Sequence, residues 1–171
     1  MTNAAVDYLT TESAPQKLWK EWLTGFFDGG SHEIGPSGTG AVTFPVASIS
    51  FDQAEMPQPL SGVAIAVISQ TISEHDMLTA TGKWVRQEMR WNFMVRAATV
   101  AQGQGNPEYQ CRLATEKLKA CLMNDFTIKP LQQKGIYDLI VSEAEPIQST
   151  AFIMRRLKVK GRYEFEIQTS L

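Results

Sequence analysis

The stretch Lys83–Thr99, KWVRQEMRWNFMVRAAT, decides the fold when it is read by parity. Its odd positions run Val85, Gln87, Met89, Trp91, Phe93, Val95, Ala97, and its even positions Trp84, Arg86, Glu88, Arg90, Asn92, Met94, Arg96. Side chains alternate across a strand, so one face is nearly all apolar and the other mostly charged. A helix would scatter both sets around its circumference. The pattern lasts about three times the usual strand length of roughly 5–6 residues, which predicts one long strand, part of it projecting beyond the domain's own sheet.

The end of the chain repeats the signal over Phe152–Gln168. Leu157, Val159, Tyr163, Phe165 and Ile167 make an apolar odd face. The even face carries a basic run, Arg156, Lys158, Lys160 and Arg162, followed by Glu164 and Glu166. A second long strand is predicted, bent at Gly161. Val46–Phe51 and Ile136–Val141 read as shorter strands. Gly62–Thr71 contains the apolar run Val63–Ile68, which predicts a strand covered on both faces: by helices of the same chain on one, and on the other by a neighbouring subunit. Thr71–Thr81, with His75 and Asp76 inside it, reads as the turn back into the organising strand.

Two helices stand out. After Ser13-Ala14-Pro15-Gln16, which resembles a capping box, Leu18, Trp19, Trp22, Leu23, Phe26 and Phe27 recur at helical spacing as far as Gly29–Gly30. Their heavy apolar load fits a helix lying on a sheet. A membrane-surface helix is the weaker alternative, because the basic polar face it needs is thin. Asn106-Pro107-Glu108 supplies a cap, a first-position Pro and an acid at the positive end of the helix dipole. Ala114, Lys117, Leu118, Cys121 and Leu122 continue that helix to about Asn124–Phe126. Met56–Pro59, Ala101–Asn106, Pro130–Gly135 (or a short helical turn) and Glu143–Gln148, with Pro146, read as connections. Asp28–Pro45 is rich in Gly and Ser and reads as a mobile loop that orders against a partner. Its glycines match neither a P-loop nor the dinucleotide fingerprint.

These elements predict a single α+β domain over residues 1–171. Its sheet is mixed and mostly antiparallel, with two long strands and helices packed mainly on one face. A chain of 171 residues, 43% hydrophobic and 20% charged, fits one globular domain. The net charge of −2 argues against strong generic binding to nucleic acid or anionic membranes. No basic flank leads into an apolar segment at the N-terminus, so no signal peptide is expected. Val63–Ile68 is far short of the roughly 20 residues that cross a bilayer. Cys111 and Cys121 fall on one helix about 15 Å apart, too far for a disulfide, and read as buried thiols in a reducing compartment.

No residue set suggests chemistry. His32 and His75 lie in different loops with no ligand at metal-binding spacing. There is no nucleophile elbow and no zinc-binding helix motif. No catalytic, cofactor-binding or metal-binding residue is therefore assigned, and an enzyme is not expected. Glu164 and Glu166 read as cross-strand partners of Arg86, Arg90 or Arg96. The basic stripe Arg156, Lys158, Lys160 and Arg162, together with Trp84, Arg86, Arg90 and Arg96, is the candidate interface. Three readings stay open for it: a solvated or salt-bridged sheet face, a protein–protein or ring interface, and a nucleic-acid contact in which Trp84 stacks on bases.

Pro57–Ile72, Arg86–Arg96, the Asn106–Phe126 helix with its Ala114–Leu118 stripe, and Arg155–Ile167 together resemble the tail-terminator and neck-completion proteins of long-tailed bacteriophages. The resemblance covers most of the chain after about Ala47, and Asp28–Pro45 is longer than that pattern. It implies a structural virion protein, assembled in the host cytoplasm, that forms a homo-oligomeric ring of six subunits at the head-proximal end of the tail. The ring would stop growth of the tail tube and meet the tube and the neck or connector proteins. Genomic DNA would pass through its lumen without being read, and no membrane would be involved.

Overall fold

A computed structural model describes residues 14–26, 31–33, 41–43, 46–51, 63–97, 107–142, 145–148 and 153–168. In chain order the elements are α1 (Ala14–Phe26), β1 (Ser31–Glu33), β2 (Ala41–Thr43), β3 (Val46–Phe51), β4 (Val63–Leu78), β5 (Gly82–Ala97), α2 (Pro107–Met123), α3 (Asp125–Gln133), β6 (Ile136–Val141), β7 (Glu145–Gln148) and β8 (Ile153–Gln168). The fold is α+β. The main sheet runs β3-β4-β5-β8-β6, and β7 pairs with β8. Among the described strands only the β3–β4 pair is parallel, so the sheet is mixed and mostly antiparallel. The two predicted long strands are β5 and β8.

Parity holds along β5 from Trp84 to its end. Every odd residue from Val85 to Ala97 is buried and every even one from Trp84 to Arg96 is half-buried. Gln87 is the polar exception on the buried face, and its Nε2 donates to Glu74 Oε2 at 2.7 Å. All three described helices contribute side chains to the cluster of buried residues that contains Trp91, Phe93 and Val95. Trp19 of α1 meets Trp91 and Phe93 edge-on, with ring centroids 5.2 and 5.1 Å apart. This geometry sets the negative ring face against a positive edge. Trp22 Nε1 donates to the Thr127 carbonyl at 2.8 Å, tying α1 to α3.

Several expectations need correction. β5 does not project beyond its sheet, because it is flanked by β4 and β8 from one end to the other. β4 is a third long strand of sixteen residues, so Thr71–Leu78, read as a turn, is strand, and the chain reverses over Thr79–Thr81. The cause is an extra residue at Ile72, where the register steps from Thr71↔Met89 to Ser73↔Glu88. A bulge of this kind exchanges the two faces of a strand and so destroys the period-two signal. The Val63–Val67 run is buried within the single chain, so it needs no neighbouring subunit to cover it, and Ile68 is already 38% exposed.

Pro130–Gly135 is largely helix. Asn124 starts α3, its side chain accepting from the N–H groups of Phe126 and Thr127 at 2.9 and 3.3 Å, and Pro130 lies inside. Glu145–Gln148 is an edge strand rather than a turn, a location where Pro146 is tolerated because no ladder bond is needed on its outer side. At Gly161 the glycine answers crowding. A Cβ there would stand 2.8 Å from Leu139 Cδ2 and 3.0 Å from both Trp91 Cζ3 and the Tyr137 carbonyl. Within Asp28–Pro45, β1 and β2 form a short antiparallel ladder; the rest of that stretch, Ser13, Met56–Pro59 and Ala101–Asn106 lie outside the described residues.

Candidate interface surface

All eight predicted interface residues lie on the half-buried face of β5 and β8. The ladder sets even opposite even: Trp84↔Glu166, Arg86↔Glu164, Glu88↔Arg162, Arg90↔Lys160, Asn92↔Lys158, Met94↔Arg156 and Arg96↔Met154. Residues directly opposite on one face are close enough to pair. Arg86 Nε donates to Glu164 Oε1 at 2.9 Å, one of the three arginine partners that the sequence left open for that acid. Glu166 does not take an arginine. It accepts hydrogen bonds from the hydroxyls of Thr79 and Thr81 at 3.4 and 3.1 Å, which fastens the β4–β5 turn to the end of β8.

Most of the basic stripe is paired. Glu145 of β7 accepts from Arg156 at 2.6 Å and from Lys158 at 3.2 Å. Those two cations, Arg156 first, hold its carboxyl below the usual carboxylate value of 4.5. Arg162 pairs with Asp138 at 2.5 Å. Asp138 itself sits in the left-handed region, at φ 53°, where β6 skips register against β8. Arg96 is engaged elsewhere in the chain. Arg90 and Lys160 stand opposite each other with no ion pair among the described residues. The Arg86 guanidinium lies 5.0 Å from the Trp84 ring centroid and occupies that indole as a cation–π partner.

Sequence reasoning missed Glu145 and Asp138, because one lies on a strand read as a turn and the other at a register slip. It also missed the outer edge of β4. β3 pairs with β4 only from Val46↔Val63 to Phe51↔Val67, and no described strand flanks Ile68–Leu78. Large apolar side chains stand exposed along that stretch: Ile72 at 51%, Met77 at 60% and Leu78 at 83%. Among the described residues no strand continues the pairing past Val67, and an edge with exposed apolar side chains is one that an extended chain can join.

Cys111 and Cys121 are free and buried on α2. Burial raises both thiols to about 11, so neither is a ready nucleophile near neutral pH. Among the described residues, no three of His, Cys, Asp and Glu gather as a metal-binding group, and no helix is long and apolar enough to cross a membrane.

Models of known protein families and the curated proteins give no match to this chain.

Proposed function

We propose that this protein is a structural component of a bacteriophage virion. It forms a ring at the head-proximal end of the tail, terminates the tube and joins it to the neck. The observation that carries the reading is the exposed apolar end of β4, where Ile72, Met77 and Leu78 stand out beyond the last described pairing with β3, beside a sheet face whose charges are set by cross-strand pairs. Monomeric domains blunt such edges; assembly proteins use them. The element order and the alternating basic strands add the likeness to tail-terminator proteins described above. Contacts of the head-to-tail kind close into a ring when the rotation between copies allows it. Chemistry plays no part in this role, which rests on shape and charge matching between copies and toward the tube.

The ion pairing counts against a nucleic-acid module. Arg86, Arg156, Lys158 and Arg162 are already neutralised by carboxylates, and the Trp84 ring carries Arg86 on its face. Phosphate contacts would have to displace these partners. Light scattering coupled to size exclusion, with negative-stain imaging, tests the proposal. Closed rings are expected. A single-subunit mass at all concentrations overturns it, and steeply salt-dependent DNA binding by that monomer would favour the nucleic-acid reading.

A further inference from the structure

Phe126, in the first turn of α3, is 85% exposed, and Met123, at the end of α2 three residues earlier, is 65% exposed. Single apolar side chains on a surface are ordinary, so this exposure by itself assigns nothing. What lies beside Phe126 does. Residues four apart follow one another along one side of a helix, so Phe126, Pro130 and Lys134 make a row on α3. Pro130 and Lys134 also line a notch of about 300 Å³ between α1 and α3.

The notch is apolar within and charged at its rim. Trp22 and Gly25 of α1 and Pro130 and Leu131 of α3 line it. Glu21 and Lys134, also part of its lining, pair at 3.1 Å and stand about half exposed. Its volume lies at the low end of the roughly 300–1,000 Å³ of ligand pockets, which is room for one large side chain. Gly25 keeps it open. A Cβ there would meet nothing within 4 Å, whereas at Gly161 three atoms crowd the same position. No crowding therefore calls for a glycine at Gly25, a residue that costs a helix stability relative to alanine.

We infer that two copies of this chain pair through α3, antiparallel about a two-fold axis, each inserting Phe126 into the notch between α1 and α3 of the other. A projecting side chain and a notch on one row of one helix are self-complementary, which is what a two-fold contact requires. Charge agrees with this direction. Asp125 opens α3 and Lys134 caps its far end. Antiparallel pairing sets the acid of one copy toward the base of the other, whereas parallel pairing would oppose like charges. The axis falls midway between Phe126 and the notch, near Lys129. The contact is separate from the head-to-tail contacts of the proposed ring, because it joins two subunits face to face whether or not each belongs to a ring.

Cross-linking through one added cysteine in the full chain tests the contact. Only near a two-fold axis does a residue meet its own counterpart, so Lys129→Cys is expected to give disulfide-linked pairs on a non-reducing gel. Glu116→Cys, exposed on α2, is the control, and the native Cys111 and Cys121 are fully buried. Within a formed pair the two thiols meet at high effective concentration, so Lys129→Cys should cross-link faster than the control by about tenfold or more. Adding Phe126→Ala, which removes the inserted ring, or Gly25→Leu, which fills the notch, is expected to abolish that excess without lowering the urea midpoint. Should Gly25→Leu lower the midpoint, Phe126→Ala decides alone. Equal rates at the two positions overturn the contact, and so does an excess that survives the substitution in a folded variant. Rings without the excess remove this contact and leave the ring standing. A dimer with the excess and no larger species removes the ring and leaves this contact standing. A single-subunit mass at all concentrations removes both.

Discussion

The two sides of the main sheet manage their edges in opposite ways. On the β6–β7 side the strands are short, β6 slips register at Asp138, and β7 carries Pro146. The charges there are locked, Asp138 on Arg162 and Glu145 on Arg156 and Lys158. On the β4 side, Ile68–Leu78 has neither Pro nor Lys and exposes apolar side chains. Both sides flank the same central pair, β5 and β8, and β4 too is interrupted, by the bulge at Ile72, with Glu74 held by Gln87 and Asp76 by Lys83; what sets it apart is the length of its exposed apolar stretch. That exposed stretch is what the proposal of a partner rests on.

The largest expected effect removes what both sides share. Trp91 is fully buried against Trp19. Trp91→Ala is expected to cost about 3–5 kcal/mol, read as a lower urea midpoint and faster amide exchange in β4 and β6 alike. Loss confined to one side would show that the sheet is two independent halves. Gly161→Ala sharpens the contrast, because the added methyl meets Leu139, Trp91 and the Tyr137 carbonyl. A loss of about 1–3 kcal/mol is expected, with exchange rising in β6 while Ile68–Leu78 is unchanged.

Charge reversal gives a smaller and two-signed effect. Lys158→Glu sets a second acid against Glu145 and lowers the thermal midpoint slightly, whereas Lys160→Glu answers Arg90 across the ladder and raises it slightly. The double reversal is expected to impair ring assembly with the monomer still folded. Normal assembly would make the stripe a solvated surface. The smallest effect is acid release of the Glu145 clamp. Because the folded carboxyl is held below 4.5, its contribution is present at higher pH and fades as pH falls through the folded value. The difference in urea midpoint between wild type and Glu145→Gln should therefore vanish on acidification; a difference that persists would assign it to shape rather than charge.

Legibility in the sequence followed the persistence of a simple period. β5 from Trp84 and β8 past Arg155 keep a clear alternation, so their apolar and charged faces could be read directly and Glu164 could be given an arginine partner across the ladder, though which one stayed open. The aromatic spacing of Trp19, Trp22 and Leu23 likewise announced a helix against a sheet. β4 was only half visible, because one inserted residue at Ile72 exchanges its faces midway. Pro130 left a connection or a short helical turn open and sits inside α3, whereas Pro146 suggested a break and lies on an outer strand where its missing N–H costs no ladder bond. The candidate surface was found from its cations. Their anions were not, because Glu145 and Asp138 owe their positions to an edge strand and a left-handed kink that no periodicity encodes.

Three of the four tryptophans, Trp19, Trp22 and Trp91, are sealed in the core, and Trp84 alone is half-buried on the outer face beneath the Arg86 guanidinium. The molecule thus contains a spectroscopic probe in the right place. Trp84 should dominate the long-wavelength side of the intrinsic fluorescence and the part quenched by iodide. A neighbour settling on that face would shield it and shift its emission to the blue, giving a label-free signal of assembly while the three inner indoles report only unfolding.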